Sequence, residues 1–245
     1  MNKEIIWLLR EKYSNKPSKK FEKDIEKLKR GEPLDYVIGF TYFLNCKIDL
    51  SKKPLIPRQE TEFWVEEEMK NIQAGRVLDI FAGSGCIGVA LLKNKPDILC
   101  DISEKDKNLV AQIKINCKLN NIDSKRYRVF QSDIFKNIAV GAKGKYDYIF
   151  ANPPYIATTR KNKIQKSVLR YEPQQALFGG KDGFFYIEKF LKQAKKYLSE
   201  NGKIFMEFDH IQKKQIEKII KKYGYTSYEL KKDQYGKWRW AAITN

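Results

Sequence analysis

The chain has 245 residues, of which 42% are hydrophobic, and it carries a formal net charge of +18. Such a composition excludes wholesale disorder. No apolar run reaches the roughly 18 residues of a bilayer span, and no secretory signal opens the chain. We therefore expect a cytoplasmic protein with no membrane partner. The four cysteines are never two residues apart and His210 is the single histidine. We therefore expect neither a metal site nor a disulfide framework.

Two short helices are predicted at the start of the chain. Apolar residues recur at helical spacing from Ile6 and again from Phe21, and Gly31 ends the second run. We assign residues 1–33 to a small helical N-terminal domain. Residues 34–58 alternate in part between apolar and polar side chains, which predicts a β-hairpin linker.

Helix and strand patterns alternate through residues 59–245. Helices are predicted through Val65 and Met69, from about residue 86, and over 104–119, 183–199 and 210–223, and strands over 76–81, 97–101, 127–131, 146–151, 203–208, 226–231 and 237–243. This rhythm is typical of an α/β fold in which helices cover both faces of a mostly parallel sheet. Ligands of such sheets bind beyond the carboxyl ends of the strands, so we expect the site in the loops there.

The first of these strands ends in a glycine-rich turn. Gly83, Gly85 and Gly88 have the G-x-G-x-x-G spacing of a dinucleotide-binding turn, which suits nicotinamide and adenosine cofactors alike. Asp79 stands at the start of the turn, where a carboxylate favours a cationic ligand and repels a pyrophosphate. The sulfonium and ammonium groups of S-adenosylmethionine are cationic, so Asp79 favours this cofactor. Asp101, at the predicted end of the next strand, is placed to accept hydrogen bonds from two ribose hydroxyls.

The third strand end also carries a carboxylate. Asp133 stands where it can hold an adenine amino group, or where it can cap the turn at Ile134 and Phe135. The candidate cofactor-binding residues are Asp79, Phe81, Ala82, Gly83, Ser84, Gly85, Asp101, Asp133, Ile134 and Asn152.

The fourth strand runs into a stiff strip, Asn152, Pro153, Pro154 and Tyr155. Neither proline has an N–H, so the Asn152 side-chain oxygen and the Pro153 carbonyl are acceptors held in a rigid backbone. Two acceptors can bind both N–H bonds of a planar NH2 group and turn its lone pair toward a methyl donor, while Pro154 and Tyr155 pack on its flat face. We therefore predict that these four residues are catalytic and that the substrate is a nucleobase amine or a Gln or Asn side chain.

Several motifs resemble those of one enzyme family. They are GEPL at 31–34, IPRQETE at 56–62, the turn from Asp79 to Gly85, NPPY at 152–155, RYEP at 170–173, GGKDG at 179–183, and Glu207. The chain resembles the HemK/PrmC family of protein-glutamine methyltransferases, which modify the glutamine of the GGQ loop in class I peptide-chain release factors. The resemblance implies a seven-stranded Rossmann-like class I methyltransferase domain whose last strand is antiparallel, and a helical N-terminal domain that grips the release factor.

The chain departs from this family at three places, one of which is Phe81 and Ala82 in the glycine turn, where small or aliphatic residues are common. Only about fifty residues precede Ile56, whereas relatives carry a longer N-terminal helical domain, and Trp238 replaces an acidic residue of the closing motif. Three alternatives stay open. Methylation of an exocyclic base amine in RNA or DNA fits the same strip and the basic charge, although only nine of the 48 basic residues are arginine. A nicotinamide oxidoreductase fits the glycines, and a non-catalytic binding module fits the short N-terminus. Glu207 is either structural or orients the substrate.

Overall fold

The computed structural model of the chain describes residues 2–139 and 145–244. Met1, the first residue of the predicted domain 1–33, and Asn245, the last residue of the predicted domain 59–245, lie outside these residues. The N-terminal elements are α1 (Lys3–Tyr13), α2 (Lys19–Lys29), α3 (Leu34–Ile38), β1 (Phe40–Phe43) and β2 (Cys46–Asp49). No helix in the described ranges is long and apolar enough to cross a bilayer.

The two predicted N-terminal helices are present and their ends have the expected signals. The Asn2 side chain caps α1 and the Ser18 side chain caps α2 by accepting backbone N–H groups. The predicted hairpin also forms, as the antiparallel pair β1 and β2. The first residues of the linker differ from the prediction, because residues 34–38 form α3 and bury Val37 and Ile38 against α1 and α2. The domain boundaries at residues 33 and 58 stay predictions.

A seven-stranded sheet and its flanking helices form the rest of the described chain. Its elements in chain order are α4 (Gln59–Met69), β3 (Gly75–Ile80), α5 (Cys86–Asn94), β4 (Ile98–Glu104), α6 (Lys107–Leu119), β5 (Tyr127–Gln131), β6 (Tyr146–Ala151), α7 (Lys166–Tyr171), α8 (Phe185–Ala194), β7 (Leu198–Glu207), α9 (Lys213–Lys222), β8 (Ser227–Lys232) and β9 (Trp238–Thr244). The strand order is β5-β4-β3-β6-β7-β9-β8. Strands β3 to β7 are parallel, and β9 is antiparallel to both β7 and β8. The predicted fold class is confirmed.

Two hydrophobic clusters cover the two faces of the sheet. One includes Trp64 of α4 and Phe150 of β6, whose rings stack at 5.8 Å, and the other includes Phe190 of α8 and Ile149 of β6. Neighbouring residues of β6 thus face opposite clusters, as the alternation of side chains along a strand requires. A sheet buried on both faces explains why its central strands read as apolar runs.

Several predicted boundaries are wrong by a few residues. The second strand of the domain, predicted over 97–101, continues to Glu104 because pairing with β3 and β5 continues along both of its sides. The helix predicted over 183–199 ends at Ala194, and the next strand begins at Leu198, which pairs with Tyr146. The helix predicted over 210–223 begins with a 3-10 turn at His210–Gln212 before α9.

Candidate active site

A cavity of about 420 Å³ lies beyond the carboxyl ends of β3, β4, β5 and β6. This volume falls in the range of roughly 300–1,000 Å³ that is typical of small-molecule sites. Its walls are formed by the glycine turn, by the loops after β4, β5 and β6, and by segments 55–58 and 173–176. The position agrees with the prediction from strand alternation, because the neighbouring loops all leave one edge of a parallel sheet.

The glycine turn has a backbone that ordinary side chains rarely adopt. Gly83 and Gly85 have φ values of 54° and 77°. A Cβ on Gly85 would lie 3.0 Å from the side chain of Ile113, so this glycine allows the turn to approach α6. A Cβ on Gly83 would meet no atom within 4 Å, and Gly83 lines the cavity, so a side chain there would enter the space of a ligand.

Two non-glycine residues of the cavity wall also have positive φ. Phe81 has a φ of 62° and Ile134 a φ of 56°. A branched side chain such as that of Ile134 is a rare occupant of this region, at a cost of about 1–3 kcal/mol. Strain of this kind is common at functional sites, and both of these residues lie in the wall of the cavity.

The carboxylate at the end of β4 is Glu104. Its Oε2 accepts the N–H of Gly83 at 2.8 Å, and its Oε1 accepts the N–H groups of Lys105 at 2.7 Å and Asp106 at 2.9 Å. Glu104 therefore joins the glycine turn to the next loop at the cavity wall. Burial raises the pKa of Glu104 despite these donors.

The prediction that Asp101 ends this strand and faces a ribose is wrong. Asp101 is buried in the middle of β4, away from the cavity lining. Its oxygens accept hydrogen bonds from Arg128 Nε at 2.7 Å and the Tyr146 hydroxyl at 2.7 Å, and Arg76 lies 3.3 Å away. These partners satisfy a carboxylate inside the sheet, so its charge does not mark a strand end. Continued alternation through I-S-E at 102–104 was the signal for Glu104.

Asp79 also lies away from the cavity wall, contrary to the expected direct contact with a cation. It is fully buried in β3 under the glycine turn, where Oδ2 accepts the Gly88 N–H at 2.9 Å. Burial raises the pKa of Asp79 to about 7, and the nearby Glu104 carboxylate adds to this rise. Asp79 Oδ1 has no hydrogen-bond partner among the described residues.

The remaining candidate cofactor residues fall into two groups. Asp133 is half-buried at the cavity wall, with Lys189 Nζ at 3.2 Å and Lys105 Nζ at 3.8 Å from its Oδ2. The cavity lining also contains Phe81, Ala82, Gly83, Ser84, Ile134 and Asn152. Gly85 lies outside the lining and shapes the turn.

The strip after β6 contributes Asn152 and Pro154 to the cavity wall. Pro153 is buried beside them, outside the lining. The prediction that Tyr155 packs on the substrate is not met in this structure, because Tyr155 lies behind the wall. Its ring packs against the second cluster, and its hydroxyl donates to Glu207 Oε1 at 3.0 Å. A local pattern cannot show this, because Glu207 is 52 residues away in the chain.

Glu207 connects this strip to α4. Its Oε2 accepts the Thr61 hydroxyl at 2.7 Å and the Trp64 indole N–H at 2.6 Å. Burial raises the pKa of Glu207, and hydrogen bonds from Thr61 and Trp64 together with the Arg239 charge oppose the rise. Thr61 lines the cavity, and its Oγ1 accepts from Asn152 Nδ2 at 3.3 Å.

An ion pair joins two of the family-like segments, IPR at 56–58 and RYEP at 170–173. Glu172, in RYEP, accepts from Arg58 Nη2 at 2.7 Å and from the Ile56 N–H at 3.1 Å, both in the IPR segment. Arg58, Ile56 and the following Pro173 line the cavity, so the ion pair closes one wall.

At the divergent position, Trp238 packs on the second cluster, with the Lys213 and Lys232 ammonium groups 4.5 and 4.9 Å from its ring.

Comparison with known proteins gives one consistent result. The family profile "Methyltransferase small domain" matches residues 59–181. Release factor glutamine methyltransferase of Thermodesulfovibrio yellowstonii is 37% identical over 86% of this chain and 76% of that protein. A methyltransferase structure from Pyrococcus furiosus superimposes with a TM-score of 0.59 at 21% identity, over 81% of this chain and 88% of that one. The structure of SMU.776 complexed with SAH gives 0.57 at 19% identity, over 77% and 50%. The chain therefore belongs to the family of release factor glutamine methyltransferases.

Proposed function

We propose that this chain transfers a methyl group from S-adenosylmethionine to the side-chain amide nitrogen of the glutamine in the GGQ loop of class I peptide-chain release factors. The observation that carries the proposal is Asn152 at the wall of the cavity, where its amide is fixed by Thr61. The names of the similar proteins support the same substrate. A release factor substrate would place the enzyme in the cytoplasm.

The residues of the cavity fit S-adenosylmethionine. Adenosine offers N–H and O–H donors, and Glu104 and Asp133 present carboxylate oxygens at the wall. The open space over Gly83 admits a ligand against the backbone. We assign the ribose hydroxyls to Glu104 and the adenine amino group to Asp133.

The strip after β6 does the chemical work of this chain. When bound, S-adenosylmethionine supplies a methyl group activated by a sulfonium. A glutamine amide is a weak nucleophile because its lone pair is delocalised into the carbonyl. Asn152 Oδ1 and the Pro153 carbonyl can each accept one N–H of the substrate amide, which holds the nitrogen in one orientation and stabilises the positive charge that develops on it. Pro154 gives the flat amide an apolar surface.

A second candidate substrate is an exocyclic amine of RNA or DNA. The same two acceptors fit such an amine, and the net charge of +18, with Lys105 and Lys107 at the cavity wall, favours a phosphate-bearing ligand. The glutamine substrate has additional support from the segments that contain Arg58 and Glu172, because both belong to the family-like motifs.

The experiment offers one enzyme several acceptors. The purified chain is incubated with methyl-labelled S-adenosylmethionine and a class I release factor, the same factor with its GGQ glutamine changed to alanine, total RNA, or DNA. We expect label in the unaltered release factor and none in the alanine version. Label that appears in RNA or DNA alone would refute the glutamine substrate.

A further inference from the structure

A buried hydrogen-bonded group lies behind Asn152. Strands β6 and β7 are parallel with Ala151 opposite Met206, so Glu207 stands beside Asn152 at the same edge of the sheet. Glu207 and Thr61 are 1% and 2% exposed. Among the described residues, the Thr61 hydroxyl makes hydrogen bonds only with the side chains of Glu207 and Asn152.

An ionised Glu207 fixes the direction of every bond in this group, because a carboxylate can only accept. The Trp64 indole can only donate, so Glu207 Oε2, 2.6 Å away, has to accept. The other oxygen, Oε1, accepts the Tyr155 hydroxyl at 3.0 Å. Thr61 Oγ1 lies 2.7 Å from the same Oε2, so its one proton is donated there while Glu207 is ionised.

This direction decides how the Asn152 amide is turned. With its proton committed to Glu207, Thr61 Oγ1 can only accept, so it takes an N–H from Asn152 Nδ2 at 3.3 Å. The opposite side-chain atom, Asn152 Oδ1, receives no hydrogen bond from the described residues and belongs to a residue that lines the cavity. A flipped amide would present NH2 to the NH2 of the substrate, donor against donor.

We propose that Thr61, held by Glu207 and Trp64, is a positioning residue that keeps Asn152 Oδ1 turned toward the NH2 group of the substrate. The inference rests on the proposed function, because it assigns Asn152 the task of accepting a substrate N–H. It gives Glu207 a role as the anchor of Thr61, without contact between Glu207 and the substrate.

The kinetic test compares Thr61→Val, which keeps the shape and removes the hydroxyl, with Thr61→Ser, which keeps the hydroxyl. We expect Thr61→Val to lower kcat about 5- to 150-fold, the effect of one lost buried hydrogen-bond partner, with little change in the KM for S-adenosylmethionine. Thr61→Ser should restore most of the rate. Thr159, whose hydroxyl donates to the Lys181 carbonyl on the exposed surface, provides the matched control Thr159→Val, which should leave kcat unchanged.

A double substitution separates positioning from general stability. In an Asn152→Ala background, Thr61→Val should lower kcat by less than about twofold, because Thr61 then has no amide to orient. An equal loss in both backgrounds, or a wild-type kcat in Thr61→Val, would overturn the proposal. The rates are measured with whichever acceptor is labelled, so label in RNA refutes the release factor substrate without touching this inference.

An activity-independent measurement covers an enzyme that labels no acceptor. The side-chain NH2 signals of Asn152 are assigned by nuclear magnetic resonance from their loss in Asn152→Ala. We expect slower exchange of these protons with solvent in the wild type than in Thr61→Val, by about 2- to 10-fold, the effect of one neutral hydrogen bond. Equal exchange in the two proteins would contradict the fixed amide.

Discussion

Replacement of Glu104 tests whether the carboxylate at the end of β4, and not Asp101, binds the ribose of the cofactor. Glu104 and Asp101 are three residues apart on one strand, yet Glu104 is at the cavity wall and Asp101 is inside the sheet. Glu104→Gln keeps the shape of the side chain and one acceptor but replaces the other oxygen by a donor. Asp101→Asn makes the same chemical change away from the cavity, and therefore serves as the matched control.

The expected size of the effect follows from the hydrogen bonds involved. A hydrogen bond to a charged group contributes about 1.5–3 kcal/mol, so the loss of one carboxylate–ribose bond should weaken binding of S-adenosylhomocysteine about 10- to 150-fold. Asp101→Asn should leave this affinity unchanged. It should instead lower the free energy of unfolding by about 1–3 kcal/mol, because Arg128 and Tyr146 lose a charged acceptor. Titration calorimetry measures the affinity, and urea unfolding measures the stability.

A ligand-side control distinguishes the ribose contact from damage to the glycine turn, since Glu104 also accepts the Gly83 N–H. The 2′-deoxy analogue of S-adenosylhomocysteine should bind the wild type at least about tenfold more weakly than the parent ligand, and Glu104→Gln should show a smaller difference between the two. Equal affinity of wild type and Glu104→Gln for the parent ligand, or a loss of affinity in Asp101→Asn, would refute the assignment.

Three further variants follow from the site. Asn152→Ala should lower kcat about 5- to 150-fold because a substrate N–H loses its acceptor, and steady-state turnover equal to the wild type would contradict this role. The raised pKa of Asp79, about 7 against an ordinary 3.8, means that the folded chain retains a proton between about pH 4 and pH 7 that the unfolded chain releases. Wild-type stability from this group should therefore fall by up to about 1.4 kcal/mol per unit as pH rises through that window, and urea unfolding of Asp79→Asn should lack this fall. Glu172→Gln should lower the free energy of unfolding by about 1–3 kcal/mol because Arg58 loses its charged acceptor, and a loss below about 0.5 kcal/mol in urea would contradict that role.

Local sequence patterns were sufficient for the sheet and for the location of the cavity. The strands Tyr127–Gln131 and Tyr146–Ala151 have the predicted ends. For Tyr146–Ala151 the reason is that a buried apolar run that stops at a proline strip has few other solutions in a covered sheet. The predicted range of the strand that contains Asp101 ends three residues too early, for a physical reason. A charge in mid-strand reads as an end unless its partners are known, and Arg128 comes from a different strand.

The group behind Asn152 shows a second limit of local patterns. Thr61 and Glu207 are separated by 146 residues, and their hydrogen bond exists only because α4 packs over the edge where β7 ends. The sequence placed both residues in family-like motifs without giving them partners. Asn152 itself was predictable, because the stiff proline strip at the end of a strand has a chemical consequence that can be stated from residue types alone.

A crystal structure of the chain with bound S-adenosylhomocysteine tests the central claim most directly. We predict that the sulfur faces Asn152 and the Pro153 carbonyl, and that the ribose hydroxyls lie within about 3.2 Å of the Glu104 carboxylate. A sulfur that points away from Asn152, or a ribose without contact to Glu104, would contradict the account.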